Sequence, residues 1–214
     1  MSDKPQYVQY TFWRLDSVYH NLESNERIVA KQHFLGTWES YQNKALLVSY
    51  ATTGLRPDCD ILCVRVSESL EVLQDMTSRV QSSGMGKFMM PTYSFLACVD
   101  PAVRWVAKAG KPGEFAPGQK PYLFFSPWVS EPETRGKADP SLEKAASSHG
   151  LTLHPGLRGL EEYDDLVAVE ADRPEAYAAF AAELRQAREE THSTVGPTFV
   201  AVLKDIRDQA DSLG

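Results

Sequence analysis

The sequence predicts an α+β protein built from two tandem copies of one structural unit. Runs of aromatic and β-branched residues, typical of strands, alternate with helical segments in the order strand, helix, strand, strand, helix, strand. The same order returns after a stretch rich in proline and glycine at residues 101–120. Hydrophobic residues make up 43% of the 214 residues and charged residues 24%, which is an ordinary globular composition. The order defines the ferredoxin-like split unit, so we expect a duplicated ferredoxin-like fold.

The elements of the first half follow from hydrophobic pattern and turn chemistry. A hairpin is predicted because the turn residues GLRPD separate two strand-like runs. A helix with one apolar face is predicted from Leu70, Leu73, Met76 and Val80, with Ser67 or Ser69 as its N-cap. The predicted strands are 8–15, 45–53, 60–66 and 92–99, and a first helix is predicted within 22–42.

The second half repeats the pattern with weaker signals. Its predicted strands are 122–129, a weak 151–157 broken by Pro155 and Gly156, 165–171 and 198–203. A short helix ends at Ser148, and a longer helix follows Asp172. The polar tail DIRDQADSLG is predicted to fray.

This organisation divides the chain into an N-terminal half (1–100), a linker (101–120) and a C-terminal half (121–214). We expect the two sheets to join into a barrel-like core with the helices outside. A cofactor can then lodge between sheet and helix in one half.

Composition and charge exclude several classes of function. The net charge of −7 disfavours nucleic-acid binding because an acidic surface repels phosphate backbones. No apolar run approaches the length of a membrane span and no signal peptide is recognisable, so we expect a cytoplasmic protein without membrane partners. Nucleotide-binding loops, a nucleophile elbow and metal-type cysteine spacing are absent from the sequence.

Two histidines of the second half are candidate ligands. His149 closes the short helix and precedes Gly150, where a histidine can point into a cleft between helix and sheet. Its neutral imidazole could bind haem iron while the other ring nitrogen bonds to a carboxylate. His154, before Pro155 on the next strand, is the alternative. For either histidine, a role as an ordinary surface or core side chain stays open.

The segment from Gly54 to Val99 closely resembles the chlorite dismutase and coproheme decarboxylase family. GLRPDCDILCVR corresponds to the family hairpin GLRADxDxLLWR, and MPTYSFLACV to its strand PYSYLA. The second half matches more loosely. KPYLFFSPWV resembles KYLFVYPFVK, SLEKAASSHG resembles ERRELMxEHG, and the segment from Gly159 to Arg185 resembles the stretch before the family's last strand.

The resemblance implies a homo-oligomeric ring, commonly a pentamer, with one haem b or coproheme per subunit in the second half and a small-molecule substrate. It implies that His149 is the proximal iron ligand and that a glutamate late in the last helix, placed at Glu189, is its partner. Trp128 and Tyr93 are further candidates for contact with the cofactor, although Tyr93 also suits a sheet core.

At several positions the sequence departs from the family pattern, and these departures limit the reactions that we expect the protein to catalyse. The radical tyrosine of the decarboxylases corresponds to Ser126 and their propionate-binding lysine to Ser130, so coproheme decarboxylation is not expected. The run from His149 to Gly159 is shorter than in the decarboxylases, and Arg158 is the nearby candidate for the distal catalytic residue.

Three hypotheses follow from these matches and departures. The first is a haem-dependent oxidoreductase that cleaves O–O or Cl–O bonds, as in peroxide or chlorite. The second is a haem-free family member that serves as a structural or ligand-binding oligomeric scaffold. The third is a cleft that takes another small molecule or serves a different oxygen-dependent reaction, since fold does not determine function.

Overall fold

The computed structural model describes residues 4–108, 110–129, 140–191 and 194–214, without the side chains of residues 108, 140, 141, 186–191, 194 and 195. The strands are β1 (Tyr7–Leu15), β2 (Leu46–Ala51), β3 (Ile61–Ser67), β4 (Met89–Val99), β5 (Val106–Lys108), β6 (Lys111–Pro112), β7 (Tyr122–Val129), β8 (Thr152–Leu153), β9 (Leu157–Gly159), β10 (Asp165–Ala171), β11 (Thr194–Val195) and β12 (Phe199–Leu203). The α-helices are α1 (Ser24–Glu39), α2 (Leu70–Ser82), α3 (Pro140–Ser148), α4 (Pro174–Thr191) and α5 (Ile206–Ser212).

The strands of both halves join into one closed antiparallel sheet. Their order around the ring is β7, β12, β2, β3, β1, β4, β9 and β10, and pairing of β10 with β7 closes it. β11 pairs with β7, and β8 pairs with β10, outside this ring. The expected α+β class with a duplicated ferredoxin-like, barrel-like core is therefore confirmed.

Successive side chains along each strand point to opposite faces of the sheet, which gives one hydrophobic core inside the ring and two outside it. Inward-facing aromatic side chains such as Tyr10, Phe12 and Phe125 fill the ring and are fully buried. The first outer core lies under α1, α2 and α5, where Met76 and Val80 of α2 pack on the sheet as their helical spacing predicts. The second outer core lies under α3 and α4.

The chain end differs from the sequence prediction. The tail that was expected to fray forms α5, whose N-cap Asp205 accepts a hydrogen bond from the backbone N–H of Arg207 at 2.7 Å. Ile206 and Ala210 are buried against the core of the first half. The prediction was wrong because two apolar residues four apart suffice to dock one helical turn, even in a polar segment.

Several residues of the predicted linker pack into the interior of the ring, namely Val103, Trp105, Val106 and Phe115. Trp105 is fully buried, and its indole N–H donates to the carbonyl of Pro155 at 3.1 Å. Further along, the backbone N–H groups of residues 118–120 donate to the carboxylate of Glu170 on β10. These contacts attach the stretch to the second half of the chain.

Candidate active site

The cleft of the second half lies between α4 and the outer face of β7 and β10. The apolar face of α4, formed by Tyr177, Phe180 and Leu184, packs against Phe124 of β7 and Val169 of β10. The Tyr177 and Phe124 rings stack with 3.9 Å between their centroids and 6° between their planes. This stack holds α4 close to the sheet.

His149 is positioned by the way α3 ends. The N–H of Leu151 donates to the carbonyl of Ala146 (2.9 Å), and the N–H of Gly150 donates to that of Ser147 (3.0 Å). Gly150 has φ +68°, the left-handed conformation that this Schellman ending requires. The turn places His149 at the C-terminal end of α3, beside α4.

The imidazole of His149 meets a carboxylate there. Its Nε2 lies 2.9 Å from Oε1 of Glu183, and the side chains are 22% and 55% exposed. Glu183 comes three residues after the buried Phe180, at the edge of the apolar face of α4, and the Phe180 ring lies 6.4 Å from the imidazole. With Nε2–H donating to Glu183, the lone pair of Nδ1 is left for another partner.

Glu189, the partner that the resemblance implies, lies six residues further along α4. Its backbone belongs to the helix, but its side chain lies outside the described residues. Sequence reasoning missed Glu183. Its spacing from Phe180 and Leu184 was the available signal, because that spacing places Glu183 at the border of the buried helix face.

The two other polar candidates lie in separate places. Arg158 on β9 forms an ion pair with Asp100 at 2.8 Å, and the two side chains are 49% and 26% exposed. The backbone N–H of Ala102, and then Arg158, hold the pKa of Asp100 below its usual range. Tyr93 on β4 donates to Asp58 at 2.6 Å, and its ring packs against Phe95 beside the inner core.

Trp128 on β7 borders a cavity of about 240 Å³ between the sheet and α4. The Ser126 side chain also lines it, and its Oγ lies 2.9 Å from Oγ1 of Thr198. The remaining walls come from the sheet and α4, and consist of Val167, Tyr177, Ala181, Leu184, Arg185 and Thr198. Ser130, the second departure from the decarboxylase pattern, lies outside the described residues.

His154, the alternative ligand, belongs to a different environment. It is 2% exposed inside the ring, with Nδ1 2.7 Å from the hydroxyl of Tyr10 and Nε2 3.0 Å from Oε1 of Glu170. Tyr50 donates to the same carboxylate oxygen at 2.8 Å. Both ring nitrogens of His154 are engaged in the core, whereas His149 lies outside the ring, beside Glu183 of α4, and is not among the residues that line the 240 Å³ cavity.

The His149–Glu183 pair fits the donor chemistry of a haem ligand, but the described cavity is too small for a porphyrin. A histidine whose second ring nitrogen is bonded to a carboxylate is the usual arrangement of a metal-ligating imidazole. The cavity of about 240 Å³, however, is below the roughly 300–1,000 Å³ typical of ligand sites. Tyr177, stacked on Phe124, forms one wall of this cavity, so its ring is one of the side chains that limit the space for a porphyrin.

Comparison with known proteins identifies the family. The family model described as chlorite dismutase matches residues 25–133, just over half of the 214-residue chain. The chain therefore belongs to the chlorite dismutase family. No curated protein matches the sequence. The part of the chain that the structure describes has no helix long and apolar enough to cross a membrane.

Solved structures show the same fold at low sequence identity. A chlorite dismutase from Candidatus Nitrospira defluvii in complex with imidazole is 18% identical, has a TM-score of 0.78, and covers 97% of this chain and 94% of its own. A haem-binding protein from Thermus thermophilus is 17% identical, with a TM-score of 0.74 and coverages of 98% and 94%.

Proposed function

We propose that this protein binds haem in the cleft between α4 and the sheet, with His149 as the axial ligand of the iron. The observation that carries the proposal is the contact of His149 with Glu183 at 2.9 Å, at the end of α3. The family of the chain and the haem-binding structural neighbour support the same assignment. Haem b is the form we propose first, and coproheme is the alternative.

Glu183 would act as the partner of the iron ligand. Its carboxylate accepts a hydrogen bond from the N–H of one ring nitrogen, which fixes the tautomer and raises the basicity of the other nitrogen. A bound haem would supply the redox-active iron for cleavage of O–O or Cl–O bonds in a peroxide- or chlorite-type substrate. An electron-rich axial imidazole favours such a cleavage.

The remaining candidates have narrower roles in this proposal. Arg158 lies outside the lining of the cavity and is paired with Asp100, so it would have to release that ion pair before it could stabilise a departing anion. Trp128 would form part of the cofactor wall. Ser126 has no phenol to carry a radical, so we do not propose coproheme decarboxylation.

The second candidate function is a haem-free scaffold. The small cavity and the stacked rings of Phe124 and Tyr177 favour it, because together they leave less space than a porphyrin needs. For either function we propose a homo-oligomer, a pentamer by resemblance. The exposed apolar side chains of Ile28 and Val29 on α1 (55% and 65%) support association between copies, and native mass spectrometry measures the number of copies.

A spectroscopic titration with haem b and with coproheme tests the proposal. We expect a Soret band that saturates at one equivalent, is lost in His149→Ala, and persists in His33→Ala, an exposed histidine of α1. Weak absorbance of the same strength in the wild-type protein, His149→Ala and His33→Ala would contradict haem binding. The haem-free scaffold would then be the remaining proposal.

Tyr177 provides a second test of the same cleft. If the Tyr177 ring must move, Tyr177→Ala speeds haem association in stopped-flow measurements. If the cleft does not take haem, Tyr177→Ala leaves the absorbance of added haem unchanged.

A further inference from the structure

A groove in the first half, between α2 and the outer face of β1 and β4, lies over a buried arginine. We propose that this groove binds a small organic anion, a carboxylate with a short apolar body, whose charge is matched by Arg65. The groove belongs to the other half of the chain from the haem cleft, and the proposal is independent of haem.

Arg65 on β3 is a buried cation whose hydrogen-bond acceptors are neutral. It is 1% exposed, and its guanidinium donates to Thr77 Oγ1 (2.7 Å), Gln9 Oε1 (2.9 Å) and Thr11 Oγ1 (2.8 Å). Its Nε–H has no acceptor among the described residues. Burial lowers the pKa of Arg65 to about 10.

Such an arrangement is costly for an isolated chain. A buried charge is normally paired with an opposite charge, because desolvation of an ion costs several kcal/mol. No carboxylate of the described residues lies within ion-pair distance of Arg65. An anion from outside the chain would supply the missing charge.

The groove above Arg65 has the size and lining for such a ligand. Its volume is about 580 Å³, within the roughly 300–1,000 Å³ typical of ligand sites. Gln9 and Thr77, two of the three acceptors of Arg65, line it, so the guanidinium lies directly behind its wall. The other lining residues carry no charge: Leu70, Leu73, Gln74, Ser78, Gln81, Ser82 and Leu96.

The lining also indicates the kind of anion. Leu70, Leu73 and Leu96 form an apolar surface that suits a short hydrocarbon body. Gln9 separates the groove from the charge: its Oε1 accepts from Arg65 and its amide donates to the Ser94 hydroxyl at 2.9 Å, so a ligand carboxylate has to replace Gln9 as the acceptor of Arg65. A carboxylate would then bond to the guanidinium with charge on both partners, the stronger kind of hydrogen bond.

Calorimetry with octanoate, and with octanol as its uncharged counterpart, tests the proposal. We expect the wild-type protein to bind octanoate at least tenfold more tightly than octanol. Gln9→Glu places a carboxylate on Arg65 within the chain, so it should abolish this preference and raise the melting temperature. Gln32→Glu, the same charge change on exposed α1 outside the groove, should leave the preference intact.

Three results would overturn the proposal. Octanol could bind as tightly as octanoate, neither could bind, or Gln9→Glu could leave octanoate binding unchanged. If the Arg65→Met variant folds, it gives a further check, because methionine keeps much of the side-chain bulk and removes the charge. Octanoate should then bind to this variant no more tightly than octanol.

Discussion

Replacement of Glu170 by glutamine should destabilise the whole fold, because this carboxylate joins three parts of the chain. Its two oxygens accept hydrogen bonds from the backbone N–H groups of Gly118, Gln119 and Lys120 (2.6, 2.8 and 3.0 Å). They also accept from Tyr50 at 2.8 Å and lie 3.0 Å from Nε2 of His154. Glutamine keeps one acceptor oxygen but replaces the other with an NH₂ group, which cannot accept the hydrogen bonds that this oxygen received.

The expected loss follows from burial. Glu170 and His154 have no exposed side-chain surface, and removal of one partner from a buried pair costs about 3–5 kcal/mol. Urea unfolding at pH 7 should therefore show a lower midpoint for Glu170→Gln with an unchanged slope. Glu161→Gln, at an exposed position, is the control. A Glu170→Gln protein whose free energy of unfolding lies within about 1 kcal/mol of wild type would show that Glu170 does not hold these parts of the chain together.

The pH dependence of stability tests the prediction for Glu170→Gln independently. Burial alone would raise the pKa of Glu170, but the hydrogen bond and charge of His154, followed by the Gly118 N–H and the Tyr50 hydroxyl, hold that pKa below its usual value. The Glu170 carboxylate therefore contributes its full stabilisation to the folded protein above the ordinary glutamate pKa. That stabilisation is lost as the pH falls through the lower pKa that Glu170 has in the folded state. The stability difference between wild type and Glu170→Gln should therefore shrink in acid; a difference that grows would contradict the assignment.

Three further changes have defined outcomes. Asp58→Asn removes a bidentate ion pair with Arg56 (2.7 and 2.6 Å) and should cost about 1–2 kcal/mol in urea unfolding. Because Arg56 holds the pKa of Asp58 well below its usual range, that loss should fade in acid; a pH-independent loss would contradict this. Ile206→Ala should lower stability by about 2–4 kcal/mol if α5 is docked, and a loss near zero would show a free tail. Ser69→Ala removes the cap on the Val72 N–H (3.2 Å) and should cost about 1 kcal/mol, with Ser78→Ala as the exposed control.

Much of the fold was predictable because it rests on local periodicity. The spacing of Leu73, Met76 and Val80 gave α2 its buried face, and the hairpin of β2 and β3 followed from GLRPD. The closure of the ring by β7 and β10 was expected only in outline, since pairing of distant strands has no local signal. The docking of α5 escaped prediction because its two buried apolar residues, Ile206 and Ala210, lie among polar and charged ones.

A site residue could be predicted only where its own sequence neighbours indicate its position in the fold. His149 stood out because a histidine before glycine ends a helix, and the structure places it there. Glu183 was missed although its spacing from Phe180 and Leu184 places it at the border of the buried face of α4, because that spacing does not show that α3 ends beside it. His154 could not be interpreted from sequence, because its partners Tyr10 and Glu170 are 144 and 16 residues away.

Resonance Raman spectroscopy of the ferrous haem complex shows directly whether His149, supported by Glu183, ligates the iron. We expect an iron–histidine stretching band in the wild-type protein, a shift of that band to lower frequency in Glu183→Gln, and its absence in His149→Ala. A complex without that band, or a band that persists in His149→Ala, would rule out His149 as the iron ligand.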